Sequence, residues 1–482
     1  MAQDAAVTGI PPRAPRNPID RYFRISQRGS TMPREIRGGL ATFFTMAYIL
    51  VLNPLILGGA TDKLGHHLNN AQLVTSTALV AAVMTIIMGV GGNLPLAIAA
   101  GLGLNGVVAF QLAPQMTWPQ AMGLVVIEGA VICVLVVTGL RQAIMAAIPL
   151  PLKQAISVGI GLFVAFIGFV DAGFVTRIKT PDATTPVQLG IDNVLRGWPT
   201  IIFCFGVLLT LVLLIRKVRG AILISIVVST VLAMILNAIV TVPKHGWGLT
   251  TPTLPDKIVA LPDFGLVGKV DLIGGFASAG AVTAVLFVFT LVLSDFFDAM
   301  GTIIGVSNEA GLVDEKGHLP GIGRVLFIDG LAAMAGGAAS ASSNTCFVES
   351  TAGVGEGART GFSNLVTGVL FALAMFFSPL VGIVPSQAAA PALVVVGFLL
   401  MTQVKDIPWT KFEIAIPAFL TIILMPFTYS ITNGIGAGFL AYVVLQVAVG
   451  KVRRIHWLLW VVAAFFAVYF AIHPIEAWLG VH

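Results

Sequence analysis

The chain reads as an all-α polytopic membrane protein with about fourteen transmembrane spans, arranged as two sevens. Three observations predict this. Of 482 residues, 57% are hydrophobic and only 10% charged, where soluble domains run near ~25% charged. Apolar runs of spanning length recur along the whole chain, Ile201–Ile215 and Ala221–Val240 among them. The third apolar segment of each half is short, glycine-rich or polar, and interrupted. A membrane barrel would instead alternate over segments of about ten residues, so the continuous runs exclude it.

Residues 1–37 are polar and basic, with Arg13, Arg16, Arg21, Arg24, Arg28, Arg34 and Arg37 against Asp4, Asp20 and Glu35. No apolar core of a secretory signal follows the first Met. The positive-inside rule puts this tail in the cytoplasm. Apolar segments follow at 38–58, 71–92, a short 96–112, 121–140, 152–171, 198–216 and 220–241. A polar, proline-containing connection covers 242–278, with Pro243, Pro252, Pro255 and Pro262. Seven further segments run at 279–305, 321–338, a short 346–358, 361–382, 389–403, 411–427 and 430–449. A last apolar stretch, 456–478, carries Trp457, Trp460, Tyr469 and Trp478 and suits either a span or an interfacial helix.

Basic residues mark the alternate loops: Arg141 and Lys153, then Arg216, Lys217 and Arg219, Lys316 and Arg324, Arg359, Lys405 and Lys411, and Lys451, Arg453 and Arg454. Turns 113–120, 382–388 and 428–430 have no Lys or Arg, while Arg177, Lys179 and Arg196 in the 172–197 loop break the alternation. An odd number of spans per half makes the second half enter from the opposite side, which is the plan of an inverted repeat. Paired broken segments in corresponding positions then point to a binding site at mid-membrane. One is Pro95–Asn105; the other is Ser342-Ser343-Asn344-Thr345-Cys346-Phe347-Val348-Glu349-Ser350-Thr351-Ala352-Gly353.

The candidate site residues come from these stretches and from Ser294–Thr302. Asp295 and Asp298 are three apart and share a helix face. A charged Asp at mid-membrane costs ~2.5–3.5 kcal/mol on insertion scales, so an intramembrane acid is a functional candidate. The competing readings are a carboxylate near a helix end for Asp298 and Asp295, and an ion pair with Arg359 or a cap for Glu349. Helix capping explains Thr345 and Ser350 as well as ligand contact does. Asn344 is a candidate ligand contact. Asn105 is either a contact or a turn or helix–helix hydrogen bond, and Gly101, Gly103 and Gly106 around it allow close backbone approach. Phe296, Phe297, Phe347 and Phe44 offer stacking faces, although a Phe in a membrane helix is commonly packing. Glu128 and Asp329 are further intramembrane acids; with no polar cluster evident around them, a structural or coupling role is expected.

The chain contains no P-loop, HExxH or GxSxG motif, so ATP-driven transport and intramembrane enzymology lack a basis. Gly101-x-Gly103-x-x-Gly106 lies in a membrane segment without a βαβ unit and is no dinucleotide motif. Cys133, Cys204 and Cys346 form no CxxC pair, and neither a metal nor another cofactor is expected. No Lys/Arg stripe with interleaved aromatics suggests nucleic acid. Buried carboxylates can take up protons and couple them to a solute. An ionised carboxylate accepts paired N–H groups, so the site suits a small, planar, neutral solute with N–H donors.

Three stretches carry a family resemblance: Arg34-Glu35-Ile36-Arg37-Gly38-Gly39-Leu40-Ala41-Thr42-Phe43-Phe44-Thr45-Met46-Ala47-Tyr48 leading to Asn53-Pro54, Phe297-Asp298-Ala299-Met300-Gly301-Thr302, and Val348–Gly361. They resemble the adenine/guanine/hypoxanthine permeases, the AzgA-like branch of the nucleobase permeases, over about 20–449. The resemblance implies two inverted seven-span repeats. It implies a core domain at 38–140 and 279–382 moving against a gate domain at 141–241 and 383–449. The 1–37 tail, the 242–278 extracytoplasmic connection and the 450–482 segment flank them. It further implies proton symport of purine bases by an elevator-like movement, in a homodimer in the cell membrane. By position, Glu349 and Asp298 are base-contacting or proton-coupling residues, with Asp295 and Asn105 as weaker counterparts. Met300 and Ala358 stand where family members often have Thr and Gly. The alternatives on this architecture are a uracil or xanthine/urate permease and an anion transporter, whose site should be electropositive and lack central carboxylates.

Overall fold

A computed structural model describes residues 17–139, 148–178, 186–240, 242, 246–247, 250–255, 257–313 and 319–479. Arg141, Pro243, Lys179, Lys316 and the side chains of Phe297, Arg454 and Trp478 lie outside the described residues.

Helix α1 (Pro18–Phe23) starts at Asn17, whose side chain accepts from the Asp20 N–H. The first apolar segment is two helices, α2 (Met32–Met46) and α3 (Ile49–Gly59), joined by a turn at Ala47–Tyr48. Next come α4 (Asn70–Ile87), β1 (Ile98–Ala100), α5 (Leu102–Val107) and α6 (Trp118–Val137). Thr117 and Gln120 close a reciprocal capping box at the start of α6. Helix α7 (Leu150–Asp171) is followed by a hairpin of β2 (Val175–Arg177) and β3 (Val187–Leu189), then α8 (Trp198–Ile215) and α9 (Ala221–Ile239). The hairpin occupies the loop whose charges break the alternation. The second half contains α10 (Gly274–Ala279), α11 (Ala281–Glu309), α12 (Ile322–Ala338), β4 (Asn344–Cys346), α13 (Ser350–Gly355) and α14 (Phe362–Ala374). It closes with α15 (Ser378–Val381), α16 (Ser386–Met401), α17 (Phe412–Phe427), α18 (Ile431–Ala448) and α19 (Trp457–Leu479). Ten of the described helical stretches are long and apolar enough to cross a membrane. Helix α19, from the segment left open in the sequence, packs on α18 and α11.

Helix contacts fall into two groups. Helix α12 lies on α6, α14 lies on α4 and α2, and α13 lies on α2. Separately, α7 packs with α16 and α17, α17 with α18, and α8 with α9 and α16. Small residues set the closest approaches. A Cβ on Gly353 would fall 2.3 Å from the Thr42 hydroxyl and 2.6 Å from the Gly38 carbonyl, so α13 touches α2 backbone to backbone.

The two short strands cross in the interior. They pair antiparallel, Ile98 opposite Cys346, Ala99 opposite Thr345 and Ala100 opposite Asn344, and all six residues are buried. Non-helical backbone at this depth survives only if its polar groups find protein partners. Thr85 Oγ1 accepts from the Ile98 N–H and donates to the Ile98 carbonyl, both at 3.0 Å. Asn364 donates to the carbonyls of Leu94 and Leu96, and Ser350 Oγ accepts from the Ala97 N–H. Ala97, Ala99 and Ala100 keep the crossing slim. Helix α5 follows β1 and α13 follows β4 along the chain.

Candidate functional site

Glu349 sits immediately before α13, at the end of the polar stretch. The Tyr48 hydroxyl donates a hydrogen bond to its carboxylate, and the Thr45 hydroxyl reaches its backbone carbonyl at 3.4 Å. Both partners come from the α2–α3 junction, where the helix break turns Tyr48 inward. Tyr48 is 1% exposed. Glu349 caps no helix through its side chain, and Arg359 donates instead to the Val354 and Ala358 carbonyls. The cap and ion-pair readings of Glu349 are thereby corrected: the tight α13 turn carries Arg359 off to the α2 end, where its N–H binds Glu35.

Asp298 projects from α11 within electrostatic range of Glu349 and Tyr48. It is solvent-accessible, while Phe296 and Ala299 beside it are buried. The accessible face continues along α11 through Gly301, Gly305, Asn308 and Glu309. A Cβ added at Gly301 or Gly305 would meet no atom within 4 Å. This accessible face, which also carries Ile304, runs from Asp298 to the helix end where Glu309 faces Arg359 and where Arg219 pairs with Glu356. Met300 lies off this face, packed against a hydrophobic cluster with Ile303 and Val306.

The other candidates separate. Asp295 is fully buried and turns away from Glu349, toward Asp329 and Glu128. The Thr345 hydroxyl binds Asp329 at 3.3 Å, which accounts for it better than capping does. Asn344 is buried, donating to the Ser342 carbonyl at 3.1 Å and leaving its own carbonyl oxygen unpartnered. Asn105 is buried with neither amide atom hydrogen-bonded, so the turn reading fails for it. Gly106 beside it lets Phe163 of α7 approach; a Cβ there would lie 2.9 Å from that ring. Phe347 is 7% exposed and packed in the core, and Phe44 is exposed.

Sequence reasoning missed two features. Tyr48 was only part of a motif, and the clue to it is the break between two helices. The second is polar surroundings for Glu128 and Asp329. Ser343 Oγ donates to Glu128 at 3.1 Å, and the Cys346 N–H donates to Asp329 at 3.1 Å. The expectation that no polar cluster surrounds these acids is therefore overturned, because β4 packs on α12 and α11 and, with Ser343 just before it, supplies the hydroxyls.

Paired broken segments meeting at a pair of short buried strands, with acids beside them among spanning helices, define a membrane transporter. Solved structures share the fold. The transmembrane domain of the cyanobacterial bicarbonate transporter BicA superposes with a TM-score of 0.59 at 15% identity, over 84% of this chain and 96% of that one. SLC26A9 does so with a TM-score of 0.61 at 12% identity, over 86% and 65%. The Xan_ur_permease model, described as Permease family, matches residues 33–437, and the chain belongs to this permease family. Among its relatives, the guanine/hypoxanthine permease PbuG of Bacillus subtilis is 37% identical over 93% of this chain and 98% of its own. The adenine permease AdeQ of Escherichia coli is 36% identical over 93% and 95%.

Proposed function

We propose that this permease imports purine nucleobases (adenine, guanine, hypoxanthine) by proton symport. The observation that carries the reading is the convergence of Asp298, Glu349 and Tyr48 beside the accessible face of α11. Glu349 anchors the base, its carboxylate accepting paired N–H groups of the purine edge. Charge-assisted hydrogen bonds of this kind are short and strong. Asp298, on the accessible face of α11, takes up the proton, and the two carboxyls titrate as a coupled pair. Asn105 and Asn344, each with a buried unpartnered amide oxygen, complete the pocket around the crossing. The printed names of the relatives, adenine and guanine/hypoxanthine permeases, support this substrate class.

Movement is of the elevator type. Helices α2–α6 and α11–α14 form the core, and α7–α9 with α16–α18 form the gate of a homodimer. The N-terminus faces the cytoplasm of a cell whose plasma membrane holds the protein. On that topology the accessible face of α11 leads inward, toward the arginine-rich end.

Competition of radiolabelled adenine uptake by guanine, hypoxanthine, xanthine, uracil and sulfate tests the substrate class. Adenine, guanine and hypoxanthine should compete; uracil, xanthine and sulfate should not. Dominant competition by sulfate would instead select an anion carrier of the same fold, a reading that two accessible carboxylates oppose.

A further inference from the structure

Around β4, three acids come from three helices: Glu128 of α6, Asp295 of α11 and Asp329 of α12. Their exposures are 0%, 0% and 1%. Each lies within electrostatic range of another member, Asp295 facing both of its partners. No ion pair among the described residues involves any of them. The other titratable groups facing them are Asp298 on the same helix as Asp295, Cys346 on β4 and Cys133 on α6. None supplies a positive charge.

The hydrogen bonds that reach the cluster come from β4 and the residue before it: Ser343 to Glu128, and Thr345 and the Cys346 N–H to Asp329. Asp295 stands beside the Thr345 side chain, and neither of its oxygens makes a hydrogen bond. Glu128 Oε2 and Asp329 Oδ2 are also buried without partners. Four carboxyl oxygens are therefore buried without a hydrogen-bond partner. Three ionised carboxylates there would bear desolvation costs of several kcal/mol each and repel one another. Protonation removes that charge. Among the described residues no three of His, Cys, Asp and Glu are arranged to hold a metal ion, and a proton needs no such arrangement.

We propose that Glu128, Asp295 and Asp329 form a second proton-binding site, distinct from the Asp298–Glu349 recess, whose proton load sets the position of β4 and thereby of Asn344. Each loading step converts one carboxylate to an uncharged carboxylic acid. Unloading returns the proton to water when the core moves. The proposal rests on the transport reading only for its role in coupling; the site itself does not depend on which solute is carried.

The test uses the full-length protein and the isosteric variants Glu128→Gln, Asp295→Asn and Asp329→Asn. Infrared difference spectra across a pH titration detect the C=O stretch of protonated carboxyls without any substrate. Wild type should show such a band, reduced in at least two of the three variants. In vesicles with an imposed proton gradient, those variants should bind purine within about threefold of wild type while their uptake responds less to external pH. Unchanged infrared bands in all three folded variants would overturn the proposal. So would an unaltered pH profile of uptake in all three. Absence of purine uptake by wild type would refute the substrate reading alone, since the infrared result stands apart from it.

Discussion

Tyr48 and Glu349 lie 301 residues apart and are joined by a hydrogen bond from phenol to carboxylate at the meeting of α2, α3 and α13. The bond fixes the acid that the transport reading depends on. A hydrogen bond to a charged group contributes about 1.5–3 kcal/mol. Tyr48→Phe should therefore weaken purine binding by about tenfold, corresponding to ~1.4 kcal/mol. Calorimetric titration of the purified variant measures it, and unchanged affinity would mean that Tyr48 does not orient Glu349.

Asp298→Asn should separate binding from accumulation. The amide keeps the shape of the side chain but cannot cycle a proton. Purine should still bind and exchange across vesicles, while uptake against a gradient is lost and a protonophore no longer has an effect. Concentrative uptake by this variant would move the proton site elsewhere.

The glycines divide into two kinds. Gly305 is accessible, and a Cβ there meets nothing within 4 Å, so Gly305→Leu should leave thermal stability within ~0.5 kcal/mol of wild type, as for surface changes, yet slow uptake by crowding the accessible face below Asp298. Gly353→Ala forces a methyl against Thr42 and the Gly38 backbone. It should cost about 1–3 kcal/mol, the usual range for overpacking, seen as a lowered melting temperature. A stable Gly353→Ala protein would show that α13 and α2 separate without penalty.

Arg219, in the turn between α8 and α9, pairs with Glu356 after α13. If α9 belongs to a static gate and α13 to a moving core, this contact breaks in each cycle. The double variant Arg219→Cys and Glu356→Cys should lose uptake on oxidation and regain it on reduction. Full activity of the cross-linked protein would exclude relative movement at this point.

Asp62 lies in the loop before α4. Burial pushes its carboxyl up, but N–H groups of His66, Leu64 and Trp118, together with His66 itself, outweigh that and hold it below the ordinary Asp value. A depressed folded-state value means the stabilisation is present above the unfolded pKa of about 3.9 and is lost as pH falls through the lower folded value. Melting temperature should therefore drop below about pH 4, and the drop should be smaller in Asp62→Asn. Equal acid sensitivity in both proteins would remove this loop from the account.

Much of the architecture was legible because lipid imposes a simple rule. Apolar length marks a span, and every polar residue inside one needs a reason. That logic isolated Ser342–Gly353, Pro95–Asn105, Asp298 and Glu349 without any contact information. It failed where the partner is distant in sequence. Tyr48 carries no periodic signal, and only the break between α2 and α3 turns it inward. Glu128, Asp295 and Asp329 each look solitary along the chain, because the hydroxyls that surround them come from β4. The pairing of Ile98–Ala100 with Asn344–Cys346 is likewise invisible in three-residue strands. Thr345 shows the ambiguity well: the same hydroxyl fits a cap, a ligand contact or a bond to a buried acid, and only the fold selects the last.

The central claim is that the Glu349 carboxylate holds the purine. Equilibrium binding of radiolabelled adenine, guanine and hypoxanthine to purified Glu349→Gln protein, with its monodispersity and melting temperature matched to wild type, tests it most directly. A loss of at least ~100-fold in affinity for every purine that wild type binds, as expected when a charge-assisted pair worth about 3 kcal/mol is removed, is the predicted result. Purine binding at wild-type affinity in that protein would contradict it.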